Sequence, residues 1–167
     1  RSIFMTDSIK LIGNVASPYT RKMVAYLRYK RIPYEVIWGQ PEDILKKMNI
    51  EPPKPILLPV FILDRDGQAT AVTDTTPLIR EFEKKYSDRS VLPKDPALNF
   101  INFVLEDFGD EWCTKFMFHY RWHFDEDADN AGTILPLGIN SNLKDDELAF
   151  FKEHFAKRQI AVSYTHL

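Results

Sequence analysis

Apolar and polar positions alternate over short distances in the first half of the chain, and turn-forming residues separate one run from the next. Runs rich in β-branched and aromatic residues are typical of strands, whereas apolar positions three and four apart are typical of helices. The elements that this pattern predicts are a strand at 9–12, a helix at 18–30, a strand at 34–38, a helix at 41–48, strands at 57–63 and 70–73, and a helix at 75–86. Asp66-Gly67 predicts a hairpin turn between the last two strands. The order β-α-β-α-β-β-α predicts an α/β fold whose first two strands, joined by a helix, pair in parallel.

The pattern changes after a proline-containing stretch at 87–96, which is typical of a linker. Beyond it, apolar side chains recur at three- and four-residue steps over 97–124 and predict one long helix. The run at 125–132 breaks this pattern, and a second amphipathic helix is predicted at 143–159. We therefore expect an all-helical second unit.

The chain has 167 residues, of which 44% are hydrophobic and 28% charged, and a formal net charge of −2. Near-neutral charge gives no electrostatic reason to expect nucleic acid or an anionic membrane as a partner, and no apolar run is long enough to span a bilayer. The single cysteine excludes an intrachain disulfide and a multi-cysteine zinc site, so a cytoplasmic protein is expected. The cations around the first helix are expected to form a solvated face: Arg21, Lys22, Arg28, Lys30 and Arg31.

Both ends of the sequence differ from the rest. Met5 followed by Thr6-Asp7 is more typical of a start, so we expect residues 1–4 to be upstream sequence or a cloning scar. Residues 161–167 have no helical period and follow a charged helix abruptly, as expected of a non-native tail. On this interpretation the chain is truncated at its C-terminus.

A Ser-Pro pair joins the first strand to the first helix. Pro18 suits the first helical position because its missing N–H would be unpaired there, and Ser17 then falls at the N-cap. The same helix end carries the positive pole of the helix dipole and can hold an anion. Taken alone, however, a Ser-Pro pair more often marks only a cap, so its interpretation depends on the rest of the sequence.

Three short motifs open successive elements: Ser17-Pro18-Tyr19, Leu58-Pro59 and Asp74-Thr75. Their order and spacing resemble those of the glutathione S-transferase superfamily, in particular its serine- and cysteine-type, bacterial-like members. The resemblance extends from residue 8 to about residue 159. It implies a thioredoxin-like glutathione-binding domain at 8–88, a linker at 89–96 and a partial all-α C-terminal domain at 97–160.

The resemblance also implies roles for the motif residues. Ser17 falls where serine- and cysteine-type members keep the catalytic residue that contacts the glutathione sulfur. Pro59 falls on the family's cis-proline, so we expect a cis peptide bond before it, although cis bonds are a minority of X-Pro bonds. Leu58 falls on the residue whose backbone pairs with the glutathione cysteine. Asp74 and Thr75 fall on the acidic and hydroxyl pair that holds the γ-glutamyl end.

Two positions bear on which family mechanism applies. Many members carry a lysine two residues before the cis-proline to meet the glycyl carboxylate, whereas this chain has Leu57 there. Lys54 is the nearest substitute and is the remaining glutathione-binding candidate. Ser17 and Thr20 occupy the positions where glutaredoxin relatives have two cysteines, so a dithiol mechanism is excluded.

The long helix of the second unit carries further candidates, because in the family it borders the electrophile pocket. The candidates for the pocket wall are Trp112, Phe116, Tyr120 and His123. Most of the aromatic stripe is otherwise expected to be core, and Cys113 to be a buried small hydrophobe. His119 and His123 have the spacing of a zinc-binding pair, but no third ligand stands out and we expect no metal.

The leading interpretation is therefore a cytoplasmic glutathione S-transferase-like protein that conjugates glutathione to small, apolar electrophiles in detoxification. Glutathione is the co-substrate, and a homodimer is expected from the resemblance. The alternative is a non-catalytic binding or dimerisation module of the same fold, since a fold does not fix a function. Leu57 in place of the glycyl-carboxylate lysine slightly favours this alternative.

Overall fold

A computed structural model describes residues 8–165, with side chains described through residue 161. Contacts within the chain divide it into two compact units, one ending at Val91 and one beginning at Leu92. The expected upstream segment at 1–4 and the expected start at Met5 lie outside the described residues. The last two residues of the expected tail, 166 and 167, lie outside them as well.

The first unit contains one mixed sheet and three helices among the described residues. Its elements are β1 Ile9–Gly13, α1 Pro18–Lys30, β2 Tyr34–Trp38, α2 Pro41–Lys47, β3 Val60–Arg65, β4 Gln68–Val72 and α3 Thr75–Lys85. The strand order is β2-β1-β3-β4, with β1 and β2 parallel and the other neighbours antiparallel. The predicted α/β order and the parallel first pair are confirmed.

β1 is the strand around which the core of this unit is built. Leu11 and Ile12 are both 0% exposed, because successive side chains of a strand point to opposite faces and both faces are covered. Leu11 lies in a cluster with side chains of α1 and α3. Ile12 lies in a second cluster with Val60 and with Leu45 of α2. The sheet is therefore a middle layer, with α1 and α3 on one face and α2 on the other.

β3 begins at Val60 rather than at residue 57, because Pro59 has no N–H to donate to a neighbouring strand. Its other end enters the predicted hairpin. Asp66 and Gly67 both have positive φ, 56° and 81°, as a type I′ turn requires. The Gly67 N–H donates to Asp64 Oδ1 at 2.8 Å and closes the turn.

One charged residue of α1 is buried, so the expectation that Lys30 belongs to a solvated face is wrong. Lys30 is 5% exposed, and its Nζ lies 2.9 Å from Glu83 Oε1 of α3. The same ammonium donates to the carbonyl oxygen of Tyr86 at 2.6 Å. Lys30 is the last residue of α1 and lies on the side of the helix that faces α3. It is buried because the two helices pack together, which the charge of a lysine does not predict.

The second unit is helical throughout its regular described elements. These are α4 Pro96–Asp107, a π-helical turn Phe108–Trp112, α5 Cys113–Trp122, α6 Asp125–Leu137 and α7 Asp145–Thr165. The long helix predicted at 97–124 is confirmed, with the π-helical turn inserted between α4 and α5. α7 begins two residues after the start of the helix predicted at 143–159 and continues through 161–165, so part of the expected tail is helical. Among residues 8–165, no helix is long and apolar enough to cross a bilayer.

The long helix ends at Trp122, just before 125–132, as predicted, but α6, which occupies this run, was not predicted. Its first turn contains Asp125, Glu126 and Asp127, and acidic side chains stabilise the positive end of a helix. An acidic run without large apolar residues has no periodicity to detect. The side chains that anchor α6 come later, where Leu135 and Pro136 are buried.

The apolar stripe of α4 and α5 is exposed, contrary to the expectation of a core. Ile101, Phe108 and Leu105 are all exposed, Leu105 to 63%. Within this unit, α5 packs against α6 and α7 through other side chains. Trp122 is buried and its Nε1 donates to Gln159 Oε1 of α7 at 3.2 Å. The stripe is therefore not the face that this unit uses for its own core.

Candidate functional site

The register of the sheet brings the three motifs to one edge. Ile12 pairs with Val60, so the end of β1 lies beside the start of β3. Phe61 pairs with Val72, so the end of β4 lies beside the same start of β3. The first helix begins just after β1, Leu58-Pro59 comes just before β3, and the third helix begins just after β4. The strand pairing therefore places the start of α1, the loop before β3 and the start of α3 at the same edge of the sheet, although they are far apart in sequence.

Ser17 is the N-cap of α1, as predicted. It has extended backbone angles, φ −81° and ψ 119°, and its Oγ accepts a hydrogen bond from the Thr20 N–H at 3.2 Å. Pro18 follows as the first helical residue. Because the cap uses Oγ as an acceptor, the hydroxyl proton can still be donated to an anion. Ser17 can therefore serve as a cap and as a hydrogen-bond donor at the same time.

A tight turn before Ser17 sets its position, and its details were missed from sequence. Asn14 Oδ1 accepts from the Ala16 N–H at 2.8 Å, and the Asn14 carbonyl accepts from the Ser17 N–H at 3.0 Å. Thr20 is 1% exposed and packs against Gly13, where an added Cβ would lie 2.5 Å from Thr20 Cγ2. The signal available in the sequence was a Gly-Asn pair directly after a strand.

The peptide bond between Leu58 and Pro59 is cis, as predicted. Pro59 is fully buried and Leu58 is half-buried. Within residues 8–165, the backbone N–H and C=O of Leu58 form no hydrogen bond with the rest of the protein. The two unpaired backbone groups of half-buried Leu58 can therefore serve as a donor and an acceptor for an extended ligand backbone.

Asp74 and Thr75 form the start of α3. Asp74 is the N-cap residue, but its side chain makes no capping hydrogen bond, and its backbone has φ 80°. Positive φ in a residue with a side chain is strained and is found preferentially at functional sites. Thr75 is the first helical residue and is 6% exposed. An exposed carboxylate and a helix N-terminus therefore lie together, which suits a ligand that carries both an ammonium and a carboxylate group.

Lys54 lies on the loop before β3 and is exposed. The Lys54–Pro55 peptide bond is also cis. Leu57, two residues before Pro59, is 52% exposed. No ion pair of Lys54 occurs among the described residues, so the role of its ammonium in glycyl-carboxylate binding stays a prediction.

A partly buried polar network joins α1 and α3 at the ends remote from this edge of the sheet. Tyr26 Oη donates to Glu83 Oε1 at 2.8 Å, and Ser90 Oγ donates to Glu83 Oε2 at 2.6 Å. Burial, together with the Glu83 carboxylate, raises the pKa of the Tyr26 hydroxyl. Burial also acts to raise the pKa of Glu83, but hydrogen bonds from Ser90, Lys30 and Tyr26 outweigh it and hold that pKa below its usual range. The network ties together the two helices whose N-termini carry the candidate site.

The pocket candidates of the second unit lie on the π-helical turn and on α5 or just after it. All four are exposed: Trp112, Phe116, Tyr120 and His123. His119 and His123 stack with ring centroids 4.5 Å apart. Within the described part of the chain, no three His, Cys, Asp or Glu side chains are grouped so that they could hold a metal ion.

Cys113 is exposed rather than buried, so that expectation is wrong. It begins α5 directly after the π-helical turn, among side chains of the exposed stripe. The cause is again the choice of packing face within the second unit. The pocket role of the four aromatic candidates, by contrast, stays a prediction.

Residues 11–90 match the family model for the glutathione S-transferase N-terminal domain. No curated protein matches the chain. Among solved structures, it is similar to a glutathione S-transferase from Methylobacterium radiotolerans in complex with glutathione sulfonate, with 20% identity, a TM-score of 0.55, and 92% of this chain and 64% of that chain covered. It is also similar to a Tau class glutathione S-transferase from mango, with 23% identity, a TM-score of 0.52, and 75% and 58% covered.

A third similar structure is maleylacetoacetate isomerase from Anaeromyxobacter dehalogenans, with bound dicarboxyethyl glutathione and citrate. Here the identity is 13% and the TM-score 0.51, and 93% of this chain and 80% of that chain are covered. The chain thus spans 58% and 64% of the length of the mango and Methylobacterium proteins.

The fold and the motif geometry define the class: a thioredoxin-like domain with a four-stranded mixed sheet, followed by a helical region. The family match covers nearly all of the first unit. The first unit is therefore a glutathione S-transferase N-terminal domain.

Proposed function

We propose that this protein binds glutathione on its first unit and conjugates it to small, apolar electrophiles. The observation that carries the proposal is the sheet register, which gathers Ser17, Leu58 and Thr75 at one edge of a domain that matches the glutathione S-transferase family. These residues offer the three kinds of contact that an extended thiol tripeptide needs: a donor to sulfur, a free backbone edge, and a helix N-terminus.

The sulfur would lie at the start of α1. A thiol near a helix N-terminus loses its proton more easily, because the thiolate is favoured there, and a donated hydroxyl stabilises the thiolate further. Ser17 supplies that hydroxyl. The thiolate then attacks an electrophilic carbon and forms a C–S bond, while the displaced group departs with its electron pair. The protein contributes an activated nucleophile and its positioning, without a covalent enzyme intermediate.

The rest of glutathione would lie along the same edge of the sheet. The free N–H and C=O of Leu58 pair with the cysteinyl backbone of the ligand. The Asp74 carboxylate holds the α-ammonium of the γ-glutamyl group, and the Thr75 hydroxyl and the first turn of α3 hold its α-carboxylate. Lys54 is the proposed partner of the glycyl carboxylate. On the second unit, Trp112, Phe116, Tyr120 and His123 stay the candidates for electrophile contacts.

The proposal includes a cytoplasmic homodimer that acts in detoxification. The homodimer and the role in detoxification come from the family resemblance, and the cytoplasmic location comes from the single cysteine. Glutathione is the only cofactor it needs, as co-substrate.

Calorimetric titration of glutathione into the wild type, Thr75→Ala and Thr75→Ser tests the proposal. A lost charge-assisted hydrogen bond is worth about 1.5–3 kcal/mol, so Thr75→Ala should weaken binding roughly tenfold to a hundredfold, and Thr75→Ser should restore most of the affinity. A thermal melt of each variant separates affinity from stability. A lower melting temperature with unchanged affinity would make Thr75 structural, and a wild type that binds glutathione but conjugates no electrophile would favour the non-catalytic module.

A further inference from the structure

A hydrogen bond links the two loops that carry the proposed glutathione contacts. Thr73 lies between β4 and α3, and its Oγ1 donates to the carbonyl oxygen of Leu57 at 2.8 Å. The acceptor lies on the loop that leads into β3. The donor is the residue directly before Asp74. The bond therefore connects the loop of Leu58 with the loop of Asp74, across a sequence separation of 16 residues.

This bond fixes the direction of the Leu58 N–H. The Leu57 carbonyl and the Leu58 N–H belong to one peptide group, which is planar and, unlike the bonds before Pro55 and Pro59, is not cis. In a trans peptide the C=O and the N–H point in opposite directions. Holding the Leu57 oxygen on Thr73 therefore directs the Leu58 N–H away from Thr73.

No other hydrogen bond restrains the backbone of Leu58 among the described residues. Within residues 8–165 its own N–H and C=O make no hydrogen bond, so the Thr73 hydroxyl supplies the nearest polar restraint on its peptide plane. Thr73 is also only half-buried, so its side chain is not needed to fill the core.

We propose that Thr73 is a positioning residue that orients the Leu58 backbone and sets the spacing between Leu58 and Asp74. For its effect on ligand affinity this inference rests on the proposed glutathione binding; the orientation of Leu58 does not depend on it. A ligand that spans both loops binds best when their spacing is set beforehand, because less motion must be frozen on binding. Thr73 itself makes no contact with the ligand.

Three variants separate this role from a general effect on loop stability. Thr73→Val keeps the β-branched shape but removes the hydroxyl, and Thr73→Ser keeps the hydroxyl. Thr70→Val is the matched control, because Thr70 Oγ1 donates to the Gln68 carbonyl at 3.3 Å within β4, the strand that leads to Thr73, but lies away from the candidate site.

Glutathione affinity is measured by calorimetry, and conjugation kinetics are measured alongside. Loss of one neutral hydrogen bond should weaken binding by roughly three- to tenfold in Thr73→Val. The same variant should raise KM for glutathione while leaving kcat nearly unchanged. Thr73→Ser should bind close to the wild type, and Thr70→Val should bind as the wild type does. Equal affinity of Thr73→Val and the wild type would overturn the inference, as would an equal loss in Thr70→Val.

A second measurement needs no ligand. The NMR order parameter of the Leu58 amide reports its motion on the picosecond to nanosecond timescale. It should fall in Thr73→Val and stay at the wild-type value in Thr73→Ser and Thr70→Val. If the wild type does not bind glutathione, the proposed function fails, yet the order parameter still decides the role of Thr73. An unchanged Leu58 amide in Thr73→Val would overturn that role.

Discussion

Lys30 and Glu83 form a buried ion pair between the last residue of α1 and the last part of α3. Lys30 Nζ lies 2.9 Å from Glu83 Oε1, and the two side chains are 0% and 5% exposed. Every polar atom of the pair has further partners: the ammonium donates to the Tyr86 carbonyl, and the carboxylate accepts from Tyr26, Ser90 and the Val91 N–H. Because α1 and α3 both begin at the candidate site, this pair fixes the two helices that carry it.

Lys30→Met should strongly destabilise the first unit. Removing one partner of a buried pair leaves an uncompensated charge, which costs about 3–5 kcal/mol of unfolding free energy. Urea denaturation measures the loss. Lys157→Met is the control, since Lys157 and Glu153 form an exposed pair within α7. Its free energy of unfolding in urea should equal that of the wild type. A Lys30→Met protein as stable as the wild type would show that the Glu83 carboxylate is neutral or solvated.

The stability of the protein should fall on acidification, in part through Glu83. Its pKa in the folded protein lies below the ordinary value of 4.5, so the folded state binds this proton less readily than the unfolded state does. The stabilisation is present above about pH 4.5 and is lost as pH falls through the folded-state pKa. Glu83→Gln has no such proton to bind. Urea midpoints measured from pH 3 to pH 7 should therefore depend less steeply on pH in Glu83→Gln than in the wild type. The same pH dependence in both proteins would contradict a lowered pKa of Glu83 in the folded state.

Gly13→Ala should destabilise the turn that presents Ser17. The new methyl group would lie 2.5 Å from Thr20 Cγ2, and Thr20 is too deeply buried to move away. Overpacking of this kind costs about 1–3 kcal/mol. The double variant Gly13→Ala/Thr20→Ser removes the clashing methyl group and should recover part of the loss. Additive effects in this double-mutant cycle would mean that the two residues do not compete for space.

Ser17→Ala should lower kcat of conjugation far more than it lowers glutathione affinity, because the hydroxyl acts on charge at the sulfur. It should also lower stability by about 1 kcal/mol through loss of the cap to the Thr20 N–H. Ser17→Asp separates the two effects, since aspartate is a good N-cap but cannot donate to a thiolate when ionised. The melting temperature of Ser17→Asp should be close to that of the wild type, but the variant should not conjugate glutathione. Equal turnover of the wild type and Ser17→Ala would leave Ser17 as a plain cap.

The sequence by itself determined the features that depend on neighbouring residues. The strand at 34–38 matches β2, the Ser17 cap precedes Pro18, and the peptide bond before Pro59 is cis, as predicted. The first two rest on local chemistry, namely side-chain shape in an extended backbone and a hydroxyl beside unpaired N–H groups, whereas the cis bond was expected from the family resemblance of Leu58-Pro59. The same motifs, taken in order, were also sufficient to indicate the superfamily.

Only the tertiary structure decided which side of a helix is covered. Lys30 is buried because Glu83, far along the chain, is packed against it, and Cys113 is exposed because the second unit packs α5 through the face of Trp122. The bond from Thr73 to the Leu57 carbonyl likewise depends on how β3 and β4 bring their flanking loops together. A periodic pattern gives the angular position of a side chain on its own element, but burial and pairing depend on the neighbour placed there by the rest of the fold.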